Sequence, residues 1–233
     1  MHQVGVFAKF WEAGRVKSRL AATEGDDRAA ELYRSFLATT LLRLAAGTGH
    51  RVLAYTPYER REDFAQLAGP AWDLQPQAGG DLGDRIRDYF DSAFHNGFQK
   101  VLLVGSDSPT LPWELVGESL DLLDRHPVVL GPTSDGGYYL VGAAGRTPDI
   151  FDRIPWSTPD VWNETCQRLA SRQLSCGVLR RWYDVDDRAS LHRLRRELAH
   201  RSSSDDLLEP LRKIVSSTES QPLPSSATDR DDG

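Results

Sequence analysis

Short, unbroken apolar runs alternate along this chain with stretches of helical period. VGVFA (4–8), RVLAYTP (51–57), KVLLVGS (100–106), PVVLGPT (127–133) and GYYLVGA (137–143) are apolar on successive residues rather than on every second one. Strands of that kind bury both faces and belong to a mostly parallel sheet covered by helices on each side. Between them, 26–46 puts Ala29, Tyr33, Phe36, Leu37, Leu41 and Leu44 on one helical stripe, and 83–96 does so with Ile86, Tyr89, Phe90 and Ala93. Further helices are expected at 60–68, from 112 to about 125, at 159–172 and at 187–200. WDLQPQ (72–77) reads as a weak strand and GVLRRWYDVD (177–186) as the last one. The fold class is therefore α/β: a mostly parallel mixed sheet flanked by helices on both faces, Rossmann-like. In such sheets ligands sit beyond the carboxyl ends of the strands.

The chain has 233 residues, enough for one such domain with a sizeable core. From residue 202 the composition shifts to serine, proline and acids, so a domain over 1–201 and a largely disordered acidic tail over 202–233 are expected, with a short helix at 207–215. That tail carries much of the formal net charge of −6. The balance argues against nucleic-acid binding, and the leucine spacing of RASLHRLRRELAHR (188–201) makes its arginines a solvated helix face. No run approaches about 18 apolar residues, so no membrane span is expected. The N-terminus reads directly into a strand, without a leader pattern. Two cysteines without CxxC spacing suit a reduced, cytoplasmic protein.

Four clusters carrying chemistry follow predicted strands. KFWEAGRVKSRL (9–20) holds Lys9, Arg15, Lys17 and Arg19 against one acid, with Gly14 permitting a tight turn; such a loop suits a polyphosphate. It lacks the GxxxxGK[ST] pattern of a Walker A loop. QAGGDLGDR (77–85) has three glycines that allow close approach to a flat base, with Asp81 or Asp84 able to cap the next helix. GSDSPTLP (105–112) sets Asp107 on the lip of a strand, flanked by serines placed to orient its carboxylate for a hard divalent cation. TSDGGYYL (133–140) and WYDVDD (182–187) add a hairpin signal and two carboxylates, Asp184 and Asp186, on one strand face. Each has a plainer reading alone: solvated loop, turn, helix cap. Together they describe a nucleotide–metal site.

The motifs FAK with GRVKSRL (7–9, 14–20), GGDLGDR (79–85), GSDSPTLP (105–112), GPTSDGGYYLVG (131–142), IPWST (154–158) and DVD (184–186) occur in order. On them the chain resembles the nucleotide-diphospho-sugar transferase superfamily, GT-A type fold, and within it the DUF2064 glycosyltransferase-like family. The first segment is also similar to phospholactate guanylyltransferases. The resemblance implies that Asp107 holds a catalytic divalent ion, Mg²⁺ or Mn²⁺, with Asp184 or Asp186 as second carboxylate. It implies a phosphate loop of Lys9, Gly14, Arg15, Lys17 and Arg19, with Lys17 and Arg19 assisting catalysis beside Asp107. Gly80 and Leu82 would lie beside the base, and Asp135, Gly136, Gly137 and Tyr138 near the acceptor. Two departures stand out. Phe10 and Trp11 replace a small residue and a proline after the first lysine, and Asp187 replaces a threonine after DVD.

The expected function is metal-dependent transfer from a nucleotide-diphospho-sugar to a small-molecule acceptor. Two alternatives stand beside it. One is nucleotidyl transfer from a nucleoside triphosphate to a phosphorylated acceptor with release of pyrophosphate, which four cations in one loop favour. The other is a nucleotide-binding module without catalysis.

Overall fold

The computed structural model describes residues 1–201 and 206–217. The elements are β1 (His2–Lys9), α1 (Ser18–Glu24), α2 (Asp26–Ala45), β2 (His50–Thr56), α3 (Arg61–Ala68), β3 (Asp73–Pro76), α4 (Leu82–His95), β4 (Lys100–Gly105), α5 (Glu114–Leu122), β5 (Val128–Pro132), β6 (Tyr138–Ala144), α6 (Val161–Ser171), β7 (Cys176–Val178), α7 (Arg188–His200) and α8 (Glu209–Ser216). They build a seven-stranded sheet in the order β3-β2-β1-β4-β6-β5-β7. All pairings are parallel except those of β6, which runs antiparallel to β4 and β5.

The unbroken apolar strands do bury both faces. Val101 and Leu103 of β4 join α4 residues Ile86, Tyr89 and Phe90 on one side. Leu102 and Val104 join Leu115 and Tyr139 on the other. The long α2 lays Leu37 and Leu41 over β1 and β2. Gly5 in β1 is where Tyr89 fits, since a Cβ there would lie 2.2 Å from the tyrosine oxygen. The order β3-β2-β1-β4 reverses direction between β1 and β4, so a crevice opens beyond their carboxyl ends. Lys9 and Asp107 leave from those two ends.

Three sequence expectations change. Residues 177–186 do not form one long strand: only Cys176–Val178 pairs regularly with β5. Pro132 has no N–H for the ladder, so bonds from Leu179 N and Trp182 N to the carbonyls of Leu130 and Pro132, with an isolated bridge between Thr133 and Trp182, carry the chain onward. The helix expected from 112 to about 125 is shorter, because tight i,i−3 bonds flank it at Leu115 and Asp124. The folded body also passes residue 201. Leu208, Leu211 and Val215 are buried against Leu32, Phe36 and the α7 leucines. The tail beyond 217, expected to be disordered, lies outside the described residues. Among the described residues no helix is long and apolar enough to cross a membrane, and Cys166 and Cys176 are free thiols.

Candidate active site

Two clefts meet at the crevice. The larger, about 660 Å³, is bounded by the ends of β4 and β6, the start of α4 and the loop around Trp156. The smaller, about 300 Å³, lies over the loop after β1. Arg19, Asp107 and Asp186 line both.

Lys17 stands between them. Its backbone is left-handed, φ 50°, at the entry to α1. That turn sends Nζ inward to donate to Asp107 Oδ1 at 2.5 Å and to Asp186 Oδ1 at 2.6 Å. Only 5% of the side chain is exposed. Burial alone would lower the pKa of this ammonium, but the two carboxylates outweigh it and hold the lysine charged above its ordinary range. Tyr33 closes the space beneath. Its hydroxyl accepts from Lys9 N and lies 3.0 Å from Ser106 Oγ. Burial first, and the Asp107 charge second, push that phenol up to about 12.

The other cations keep to the surface. Lys9 Nζ donates to the Arg15 carbonyl at 2.9 Å. Arg15 pairs with Glu12 at 3.1 Å. Arg19 remains largely exposed, 3.8 Å from Asp186 Oδ2. Gly14 (φ 75°) makes the turn and touches neither cleft. Phe10 and Trp11 do not enter the clefts either: their rings meet tilted, 4.8 Å between centroids, and pack on Phe64, with Arg60 over Phe10 at 4.2 Å. They fasten the loop to α3.

On the acidic side, oxygens of Asp135, Asp184 and Asp186 lie within 4.8 Å of one another. The alternation expected for 184–186 holds without a regular strand, since Val185 is fully buried while both aspartates face the cleft. Val185 N donates to the Asp107 carbonyl at 2.9 Å, which ties the acidic segment to the end of β4. The serines beside Asp107 do not orient it. Ser108 Oγ donates to Asp184 Oδ1 at 2.6 Å, and Ser106 serves Tyr33. Burial, and then the Asp107 charge, hold the Asp184 carboxyl above the usual range. Hard oxygen donors converging in this way suit a divalent cation such as Mg²⁺ or Mn²⁺. Asp107 lies outside that group of three, and Lys17 engages its Oδ1 as it does that of Asp186.

The glycine segment opens α4 through a capping box. Asp81 is the cap, accepting from Asp84 N at 2.9 Å, and Asp84 answers to Asp81 N. Gly80 (φ 91°) makes the turn outside the cleft lining, while Leu82 reaches the larger cleft. Gln77 Nε2 donates to the carbonyls of Ala8 and Ala54, holding this segment to β1 and β2. In the β5–β6 hairpin, Asp135 Oδ1 accepts from Thr133 Oγ1 and Gly137 N, and Gly137 and Tyr138 line the cleft. Gly136 (φ 97°) does not; a Cβ there would fall 2.1 Å from the Pro159 carbonyl. The lining residues Trp156, Ser157 and Thr158 had no role assigned from sequence, although IPWST was among the matching motifs.

A family described as "Uncharacterized protein conserved in bacteria (DUF2064)" matches residues 40–158. A crystal structure of a candidate nucleotide-diphospho-sugar transferase from Desulfovibrio desulfuricans G20 is 35% identical, covers 93% of this chain and 97% of its own, and superposes with a TM-score of 0.83. A cytidylyltransferase from Leptospira borgpetersenii is 14% identical over 96% of this chain and 98% of its own, TM-score 0.55. A 4-diphosphocytidyl-2C-methyl-D-erythritol synthase from Anaerococcus prevotii is 8% identical over 86% and 99%, TM-score 0.58. The last two share the fold. No curated protein sequence matches.

Proposed function

The chain belongs to the DUF2064 family, and from that membership and the paired clefts we propose a metal-dependent transferase that uses a nucleotide-activated donor. The leading reading is glycosyl transfer from a nucleotide-diphospho-sugar to a hydroxyl of a small acceptor. The observation that carries it is the meeting of a cationic cleft and a carboxylate cluster at the switch point of the sheet, joined through Lys17.

In this reading Lys9, Arg15 and Arg19 hold the donor phosphates in the smaller cleft, arginine as a fork and lysine as a point charge. Asp135, Asp184 and Asp186 would hold the divalent ion, which when bound supplies charge neutralisation for the leaving diphosphate. Lys17 keeps Asp107 and Asp186 in place and neutralises part of their charge. The acceptor oxygen bonds to the anomeric carbon as the bond from that carbon to the phosphate oxygen breaks. The nucleoside diphosphate departs, and the acceptor proton passes to a cleft carboxylate.

Nucleotidyl transfer uses the same groups. Four cations in the loop favoured a triphosphate at the level of sequence. With Lys17 committed to two carboxylates, fewer are left for phosphate, and this supports the diphosphate donor. The test is product analysis. We expect Mn²⁺-dependent release of nucleoside diphosphate from a panel of nucleotide sugars and no pyrophosphate from nucleoside triphosphates. Asp186→Asn should lower that turnover by at least about a hundredfold, within the range for losing one preorganised charged group. Pyrophosphate from a triphosphate with a phosphorylated acceptor would shift the assignment to nucleotidyl transfer.

A further inference from the structure

The loop at 154–160 forms the far wall of the larger cleft and is braced on both sides. Trp156 lies against the first turn of α4, where a Cβ on Gly83 would fall 2.9 Å from the indole nitrogen and 2.4 Å from the Phe151 carbonyl. Opposite, the Pro159 carbonyl occupies the space a side chain at Gly136 would need, and Trp162 N donates to Gly136 O at 2.8 Å. Thr158 Oγ1 donates to the Pro155 carbonyl at 2.7 Å. Ser157 adopts φ 65°, a left-handed backbone that a serine enters only when its surroundings impose it. The wall is a built surface.

Its chemistry differs from that of the smaller cleft. Trp156 meets Tyr138 edge-on at 6.2 Å, and Phe7, Leu82 and Ile86 continue the apolar surface. Ser157 and Thr158 add small polar groups at the rim. Among the described residues lining this cleft, Arg19 is the one cation, and it stands at the junction with the phosphate side. The other charged groups lining this cleft are carboxylates, Asp107, Asp135, Asp184 and Asp186. In the reading above Asp135, Asp184 and Asp186 would take up the charge of the divalent ion, so a phosphate seated on the Trp156 side would lose its hydration without gaining a cation of the protein.

From this contrast we infer that the acceptor is an uncharged hydroxyl compound with an apolar face, such as a sugar ring or an aryl glycoside, seated on Trp156 and Tyr138, and that phosphorylated acceptors are excluded. The inference rests on the transferase reading above and names the substrate class of the same site. A ring of C–H groups or an aromatic aglycone packs on an indole face, while its hydroxyls meet Ser157, Thr158 and the carboxylates.

The experiment uses the full chain with Mn²⁺ and a nucleoside diphosphate. Matched pairs are titrated by calorimetry: glucose and glucose phosphate, myo-inositol and inositol phosphate, phenyl glucoside and phenyl phosphate. The neutral member of at least one pair should bind, and its phosphorylated partner should bind about tenfold more weakly or not at all, the ratio expected for one uncompensated charge. Trp156→Ala should weaken the neutral ligand about tenfold and leave the nucleoside diphosphate within about twofold, and Trp156→Phe should restore most of the loss. Tighter binding of the phosphorylated members, or no neutral ligand sensitive to Trp156, overturns the inference. Mn²⁺-dependent nucleotide binding is read in the same titrations. Its loss removes the transferase reading, whereas a preference for phosphorylated ligands with nucleotide binding intact removes only the acceptor class.

Discussion

Lys17 brings its charge to a place where 5% of its side chain meets solvent. From the sequence it was one of four loop cations, set apart together with Arg19 only by what the family resemblance implies. The left-handed turn at its own Cα and the convergence of two distant aspartates set it apart. Removing it leaves Asp107 and Asp186 facing each other. Both are partly hydrated, 39% and 30% exposed, so the cost is smaller than for a fully buried pair. Lys17→Met should lower unfolding free energy by about 1–3 kcal/mol in urea at neutral pH. An unchanged midpoint would mean that the ion pair contributes nothing net. Asp135 shows the converse: DGG marked a hairpin, and the chemistry of its carboxylate depended on where Asp184 and Asp186 arrived.

Among the elements, those with strong local signals were legible. The α2 and α4 stripes, the β4 run and the hairpin lie where apolar spacing and turn residues placed them. The seven-residue α1 was not foreseen, since a cationic loop carries little apolar period. The last strand was overextended, because the apolar residues of 177–185 point into two different cores, Leu179 with β4 and Tyr183 with α7. The departure at Asp187 is resolved by the α7 cap. Asp187 Oδ1 accepts from Ser190 N at 2.8 Å, which holds its carboxyl below the usual range, and the Ser190 hydroxyl reaches Asp187 N. Asp187→Ala should cost about 1 kcal/mol and Asp187→Thr much less, since both oxygens can cap. Chemical denaturation of the two variants side by side checks the difference.

For the whole molecule, the boundary at residue 201 was read from composition, and packing places it later. Leu208, Leu211 and Val215 expose at most 1% of their surface, beneath α2 and α7. A chain ending at residue 201 would return apolar surface to water on both helices. Each of the three side chains is worth about 1.5–3 kcal/mol buried, so the shortened chain should melt well below the full one and bind an apolar dye. Equal melting temperatures would show that α8 adds nothing to the fold.

What the sequence determined by itself was the α/β class, most of the element positions and which strand ends carry charge. Those are local properties: a period, a turn residue, a carboxylate after an apolar run. Tertiary structure alone decided which charges meet. It gave Lys17 to Asp107 and Asp186, set Asp135 beside the acidic pair, and turned the loop at 154–160 into an aromatic wall. These partners are separated by tens to more than a hundred residues of chain. Their distances follow from the order of strands in the sheet, and no local pattern encodes that order.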